Sequence, residues 1–204
     1  MPGEHARLAV AIALIASLHA PAAWAGAQMY EPLSASVRSA LSRSINHETS
    51  VRLAFANPED GYRWLATMSR RLEKRIPDAA FREELLKTVH YEATRAGLDP
   101  QLVLGVIQVE SGFRQYAVSH AGARGLMQVM PFWVELIGSK EHNLFHVRTN
   151  LRYGCTILRH YLDIENGNLF RALGRYNGSL GRPEYPNRVI EAWRKMFRYD
   201  GALI

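Results

Sequence analysis

The chain is predicted to be all-α, a set of many short helices. Apolar residues recur at three- and four-residue intervals in one segment after another, which is the period of a helix face. No segment sustains the every-second-residue alternation of a half-buried strand. Pro, Gly and Asn-Gly pairs fall at the ends of the periodic segments and not inside them. The 204 residues, 48% hydrophobic, suffice for one cored domain plus a small accessory segment, and no internal repeat is present.

The first element is a leader and not part of the fold. His5 and Arg7 precede the apolar run Leu8–Leu18, and Pro21 and Ala23-Trp24-Ala25 follow it. A charged start, a short apolar stretch and a small-x-small site make a cleaved secretory signal over residues 1–25, with the mature chain starting at Gly26. Eleven apolar residues cannot span a bilayer as a helix, which needs about 20. No integral membrane segment is therefore expected after cleavage. No Cys follows the cleavage site, so a lipid anchor is not expected.

Residues 26–60 carry one amphipathic helix with Val37, Leu41 and Ile45 in its stripe, and Asn57-Pro58-Glu59-Asp60-Gly61 is a turn or helix start. Trp64, Leu65, Met68 and Leu72 then recur at helical spacing until Pro77. Within this stretch Arg70-Arg71-Leu72-Glu73-Lys74-Arg75 reads as a solvated helix face. The next helix spans 78–96, with Phe81, Leu85, Val89 and Ala93 inward and Gly97 as its stop. Asp99 as N-cap and Pro100 at the first position predict a helix over 100–110. Residues 111–125 read as a glycine-bearing loop, and Leu126–Met130 as a short turn or helix stopped by Pro131. Phe132–Gly138 adds one helical turn. A strong helix follows over 148–164, with Leu151, Cys155, Leu158 and Leu162 on its inner face. Leu169–Asn177 is a short helix, residues 178–186 a loop, and Pro186–Phe197 the last helix, facing inward with Val189, Trp193, Met196 and Phe197.

Charge and cysteine count narrow the function. A net charge of +6 suits an anionic partner without choosing one, and no compact Lys/Arg run is present. With an export signal, nucleic acid is not an expected partner. One cysteine in an exported chain cannot form an internal disulfide, and Cys155 lies on an apolar helix face as a small core residue. His142 and His146 stand four residues apart with no Glu or Cys to complete a metal site, and no nucleotide-binding or serine-hydrolase motif is present. No metal or other cofactor is expected.

One residue breaks the pattern. "LVLGVI" runs directly into "QVESGF", which places Glu110 three and four residues after Ile107 and Val106, on the face that also carries Val103. A carboxyl buried there resists ionisation and can give up a proton and take it back. A helix-terminal Glu that swings into water is the alternative at this level. Polar groups then return as a set, Ser119, Gln128, Tyr176, Asn177 and Tyr185, of the kinds that bind sugar hydroxyls and acetamido groups.

Three ordered motifs, "VLGVIQVESGFRQYAVSHAGARGLMQVMP", "RYNGS" and "PEYPNRV", resemble the soluble lytic transglycosylases of family 1, the goose-type lysozyme-like enzymes that cut peptidoglycan. The resemblance covers roughly residues 80–198. It implies a lysozyme-like multi-helix catalytic domain over 79–204, preceded by a small helical N-terminal segment over 26–78. Residue by residue, it makes Glu110 the catalytic acid, Ser119 its neighbour, and Gln128 and Met130 sugar contacts on the Gly125-Leu126-Met127 turn. Tyr176, Asn177 and Tyr185 also carry over as substrate-binding residues. Two positions depart from the family pattern: Arg175 stands where a small residue is usual before the Tyr, and Phe132-Trp133 replaces a small stretch after "MP". Both are expected to alter the groove edge.

The implied reaction needs one carboxylate. Glu110 would protonate the β-1,4 bond between N-acetylmuramic acid and N-acetylglucosamine, then deprotonate the 6-hydroxyl to close a 1,6-anhydro ring. The expected partner is the peptidoglycan glycan strand, the expected place the periplasm. Small exported enzymes of this kind sometimes serve an envelope machine for secretion, conjugation or pilus assembly. Two rival readings remain open here. One is a hydrolytic muramidase, for which Glu135, Glu141 or Asp163 would supply a second carboxylate. The other is a non-catalytic wall-binding component of such a machine.

Overall fold

The computed structural model describes residues 28–46, 53, 55 and 57–201. The expected leader, 1–25, lies outside the described residues. Those described form eight α-helices and a π-helical turn, with no strand among them beyond two isolated bridges. The all-α expectation is met.

Local chemistry sets most helix ends. Asn57 caps α1's successor, α2 (Pro58–Leu72), by accepting from the Glu59 N–H, while α1 itself spans Ala35–Asn46. Asp78 accepts from both Ala80 and Phe81 N–H to start α3 (Ala79–Arg95). Asp99 accepts from Gln101 N–H at 2.7 Å, with Pro100 at the first position of α4 (Pro100–Glu110). The remaining helices are α5 (Phe132–Ile137), α6 (Val147–Ile164), α7 (Leu169–Asn177) and α8 (Glu184–Glu191).

α4 is the central element. Its sequence is mostly apolar, and nine of its eleven residues are buried, packed against α3, α8 and the π-helical turn. Gly105 allows the close crossing: a Cβ there would meet the Val189 carbonyl and the Trp193 N–H at 3.1 Å. α6 lies across α3 and α7. Trp64, Met68 and Leu72 of α2 are fully buried in the same core as α4 and α6. Each contributes roughly 1.5–3 kcal/mol relative to an exposed position. The charged side chains of residues 70–75 face solvent, as expected of that run, with Leu72 alone turned inward.

Glu92 of α3 is completely buried and faces Arg95, Arg148 and Arg152 at 2.8, 3.7 and 3.0 Å. Arg95 and Arg152 also donate to the carbonyls of Ser44 and Ile45, at 2.9 and 3.1 Å. The end of α1 is thereby tied to α3 and α6, with cations at the negative pole of the helix.

Of the two readings open for Leu126–Met130, the tight turn holds and the helix does not, because Gly125 and Gln128 take φ of 76° and 49°. Two expectations change at the C-terminal end. The last helix starts at Glu184, two residues earlier than Pro186. A Pro in the first turn costs no intrahelical bond, so it does not mark the start. That helix then passes into a π-helical turn, Ala192–Met196, in which Phe197 N–H bonds the Ala192 carbonyl at 3.1 Å. The extra residue per turn shifts the face. Phe197 reaches the core, Trp193 is half-buried, and Met196, expected inside, is 40% exposed.

Candidate active site

α4 delivers Glu110 at its C-terminal end, 5% exposed, behind Val103, Val106 and Ile107, all fully buried. It does not swing into water. The helix stops there because Ser111 and Gly112 N–H both bond the Ile107 carbonyl, and Gly112 and Phe113 take positive φ. α8 brings Tyr185 across, and its hydroxyl donates to Glu110 Oε1 at 2.6 Å. Burial, with the Glu110 charge second, holds the Tyr185 hydroxyl well above the ordinary tyrosine range. It therefore stays a donor at any pH the protein meets.

The loop after Glu110 folds back on itself. Arg124 exchanges two backbone bonds with Val129, both 3.0 Å, and Gly125 N–H bonds the Ala117 carbonyl at 2.9 Å. Ser119 lies in this fold, its Oγ accepting from Ala123 N–H at 3.1 Å. Three buried side chains from three elements pin the 125–130 turn. Ser111 Oγ donates to the Leu126 carbonyl at 2.7 Å, Tyr176 Oη of α7 to the Met127 carbonyl at 2.8 Å, and Asn150 Oδ1 of α6 accepts from Met127 N–H at 2.8 Å. Gly125 must be glycine: besides its φ, a Cβ would stand 2.3 Å from Asn150 Nδ2. Gln128 holds its own left-handed backbone by donating to the Gly125 and Ala117 carbonyls at 2.9 and 3.1 Å.

The expected site residues thus fall in one neighbourhood but not in one role. Glu110 and Tyr185 touch. Gln128 and Tyr176, expected at the substrate, are 1% and 0% exposed, and their donors bond backbone carbonyls. In this state they build the turn. Asn177 is buried beside Tyr176, and Met130 is half-buried at the end of the turn. Ser111, Asn150 and Gln28 were not anticipated. Asn150 carries a usable signal, a polar residue on the inward face of α6. Gln28, from before α1, is 4% exposed and accepts from Met130 N–H at 3.2 Å, which no local pattern announces.

The carboxylates a second-carboxylate mechanism would need are elsewhere. Asp163 pairs with Arg159 at 2.5 Å on α6, and Glu135 and Glu141 are exposed. His142 Nδ1 is bonded to Tyr153 Oη at 2.8 Å. Among the described residues no cluster of three His, Cys, Asp or Glu could hold a metal. Cys155 is buried, and burial pushes its thiol far up.

A family model described as the transglycosylase SLT domain matches residues 87–188, which include Glu110, the 125–130 turn, Tyr176 and Tyr185, and the chain belongs to that family. A transglycosylase of Enterobacteria phage PRD1 is 30% identical over 125 residues, 58% of this chain and 46% of that protein. The membrane-bound lytic murein transglycosylase C of Histophilus somni strain 2336 is 47% identical over 116 residues, 48% of this chain and 32% of that one. The solved lytic transglycosylase Slt of Pseudomonas aeruginosa superposes with a TM-score of 0.44 at 26% identity, over 63% of this chain and 22% of that chain. The chain spans less than half the length of these relatives. Among the described residues no helix is long and apolar enough to cross a membrane.

Proposed function

We propose that the chain is an exported lytic transglycosylase that cuts peptidoglycan between N-acetylmuramic acid and N-acetylglucosamine and releases 1,6-anhydro-muramic acid ends. One observation carries this reading: within the family segment, a nearly buried carboxyl ends an apolar helix and accepts a 2.6 Å hydrogen bond from Tyr185. Glu110 gives its proton to the glycosidic oxygen as the C1–O bond breaks, and the proton leaves on the 4-hydroxyl of N-acetylglucosamine. The acetamido oxygen of the muramic residue holds the cationic C1. Glu110, now a carboxylate, takes the proton of the 6-hydroxyl as O6 bonds to C1. The carboxyl is regenerated and no water is consumed.

The Tyr185 bond fixes the carboxyl between the two proton transfers and stabilises its charged form in the interval. Ser119, Met130 and Asn177 are proposed to meet the sugars, with Gln128 and Tyr176 shaping the turn that presents them. The net charge of +6 suits an anionic wall polymer, and the leader of residues 1–25 suits export to the periplasm. The test is release of soluble material from purified sacculi by the full chain and by Glu110→Gln. Release by the first and none by the second supports the reading. Equal release by both removes Glu110 from the mechanism.

A further inference from the structure

Arg175 and Phe132-Trp133 are the two places where the sequence motifs depart from the pattern they otherwise resemble. The segment before α1 docks on both. Tyr30 packs edge-on against Phe132 with ring centres 5.7 Å apart, and Glu31 pairs with Arg175 at 3.0 Å. Glu165 grips Arg175 from the other side and aims it at Glu31. Ahead of these two contacts Gln28 is inserted into the site, its Oε1 on Met130 N–H and its amide beside the Tyr176 hydroxyl.

Two features of Gln28 matter. Its side-chain carboxamide is the same chemical group as the acetamido arm of an N-acetyl sugar, and it accepts from Met130 N–H as such an arm would. Its Nε2 is buried beside the Tyr176 hydroxyl, where it makes no hydrogen bond of good geometry. The rest of the segment is lightly held: Met29 and Tyr30 are 64% and 58% exposed. A side chain that sits at Met130 on one well-formed hydrogen bond, and hangs on a mostly exposed strap, is able to leave.

We propose that residues 28–31 are an autoinhibitory strap, in which Gln28 occupies the position of a substrate acetamido group at Met130 until the strap is displaced by glycan or by a partner. The proposal rests on the transglycosylase reading for the nature of the ligand. It gives the contacts of Arg175 with Glu31 and of Phe132 with Tyr30 a purpose.

The test is glycan binding in the inert Glu110→Gln background, using the full chain, titration calorimetry and tetra-N-acetylchitotetraose as the probe. Gln28→Ala and, separately, the surface pair Tyr30→Ala/Glu31→Ala are compared with the parent. If the strap is closed in ~nine molecules of ten, its release tightens binding about tenfold. Unchanged binding overturns the strap. Weaker binding with Gln28→Ala overturns it too, and makes Gln28 a substrate contact. Should Gln28→Ala fail to fold, the Tyr30/Glu31 pair decides by the same criterion. No binding by any of the proteins overturns the strap together with the N-acetyl-sugar reading. Tighter binding by released variants, with no cleavage of sacculi once Glu110 is restored, keeps the strap and overturns the catalytic reading alone.

Discussion

Glu110 and Tyr185 are joined by a 2.6 Å hydrogen bond, and in the proposed reaction they act as a pair. A hydrogen bond to a charged group contributes roughly 1.5–3 kcal/mol, so Tyr185→Phe is expected to lower kcat on sacculi about 10- to 100-fold. The variant keeps the ring and so the packing. A kcat within twofold of the parent would mean that Tyr185 does not hold the reacting carboxyl. At this scale the sequence was legible where a residue broke a pattern. A lone carboxylate on an apolar face identified Glu110, and the same logic applies to Asn150. It was illegible where partners come from far along the chain. Gln128 and Tyr176 are the types that bind sugars, but what they bond depends on the backbone carbonyls the fold sets beside them.

Helices α3 and α4 were legible almost to the residue, because Asp78 and Asp99 carry their own capping chemistry, whereas α2 starts at the expected turn but ends at Leu72, short of the expected Pro77. The π-helical turn was not, since its register follows from packing against α4 and not from local propensity. Neither was the tie between α1 and the rest, which needs Glu92, Arg95 and Arg152 brought together from α3 and α6. Breaking a buried ion pair by removing one partner typically costs about 3–5 kcal/mol. Glu92→Ala is expected to lose stability of that order in urea unfolding, and to open α1 to proteolysis before the rest of the chain. A loss below about 1 kcal/mol, within the range of surface pairs, would show that the arginines are satisfied by solvent.

For the whole molecule, buried titratable groups define a stable pH window. His90 stacks on Phe55 at 4.4 Å and meets the edge of Trp64 at 5.0 Å, and burial lowers its pKa to about 4 from 6.5. In the unfolded chain it protonates near its ordinary value. Stability is therefore full above about pH 6.5 and falls as the pH drops toward 4. Melting temperature should fall between pH 7 and pH 5, and fall less for His90→Phe. Equal slopes would exclude His90 as the acid-sensitive group. At the other end burial raises Tyr153 to about 12 and raises Tyr161, Tyr176 and Tyr185 as well. The unfolded chain releases these protons first, so stability should decline from about pH 10 upward.

The central claim concerns where the second proton comes from, and product chemistry tests it most directly. Purified sacculi would be digested with the full chain in water enriched in ¹⁸O, and the soluble products weighed by mass spectrometry. The account predicts 1,6-anhydro-muramic ends without ¹⁸O, and none of them with Glu110→Gln. Reducing ends that carry ¹⁸O would mean that water, and not the 6-hydroxyl, attacks C1, which would contradict the single-carboxylate mechanism.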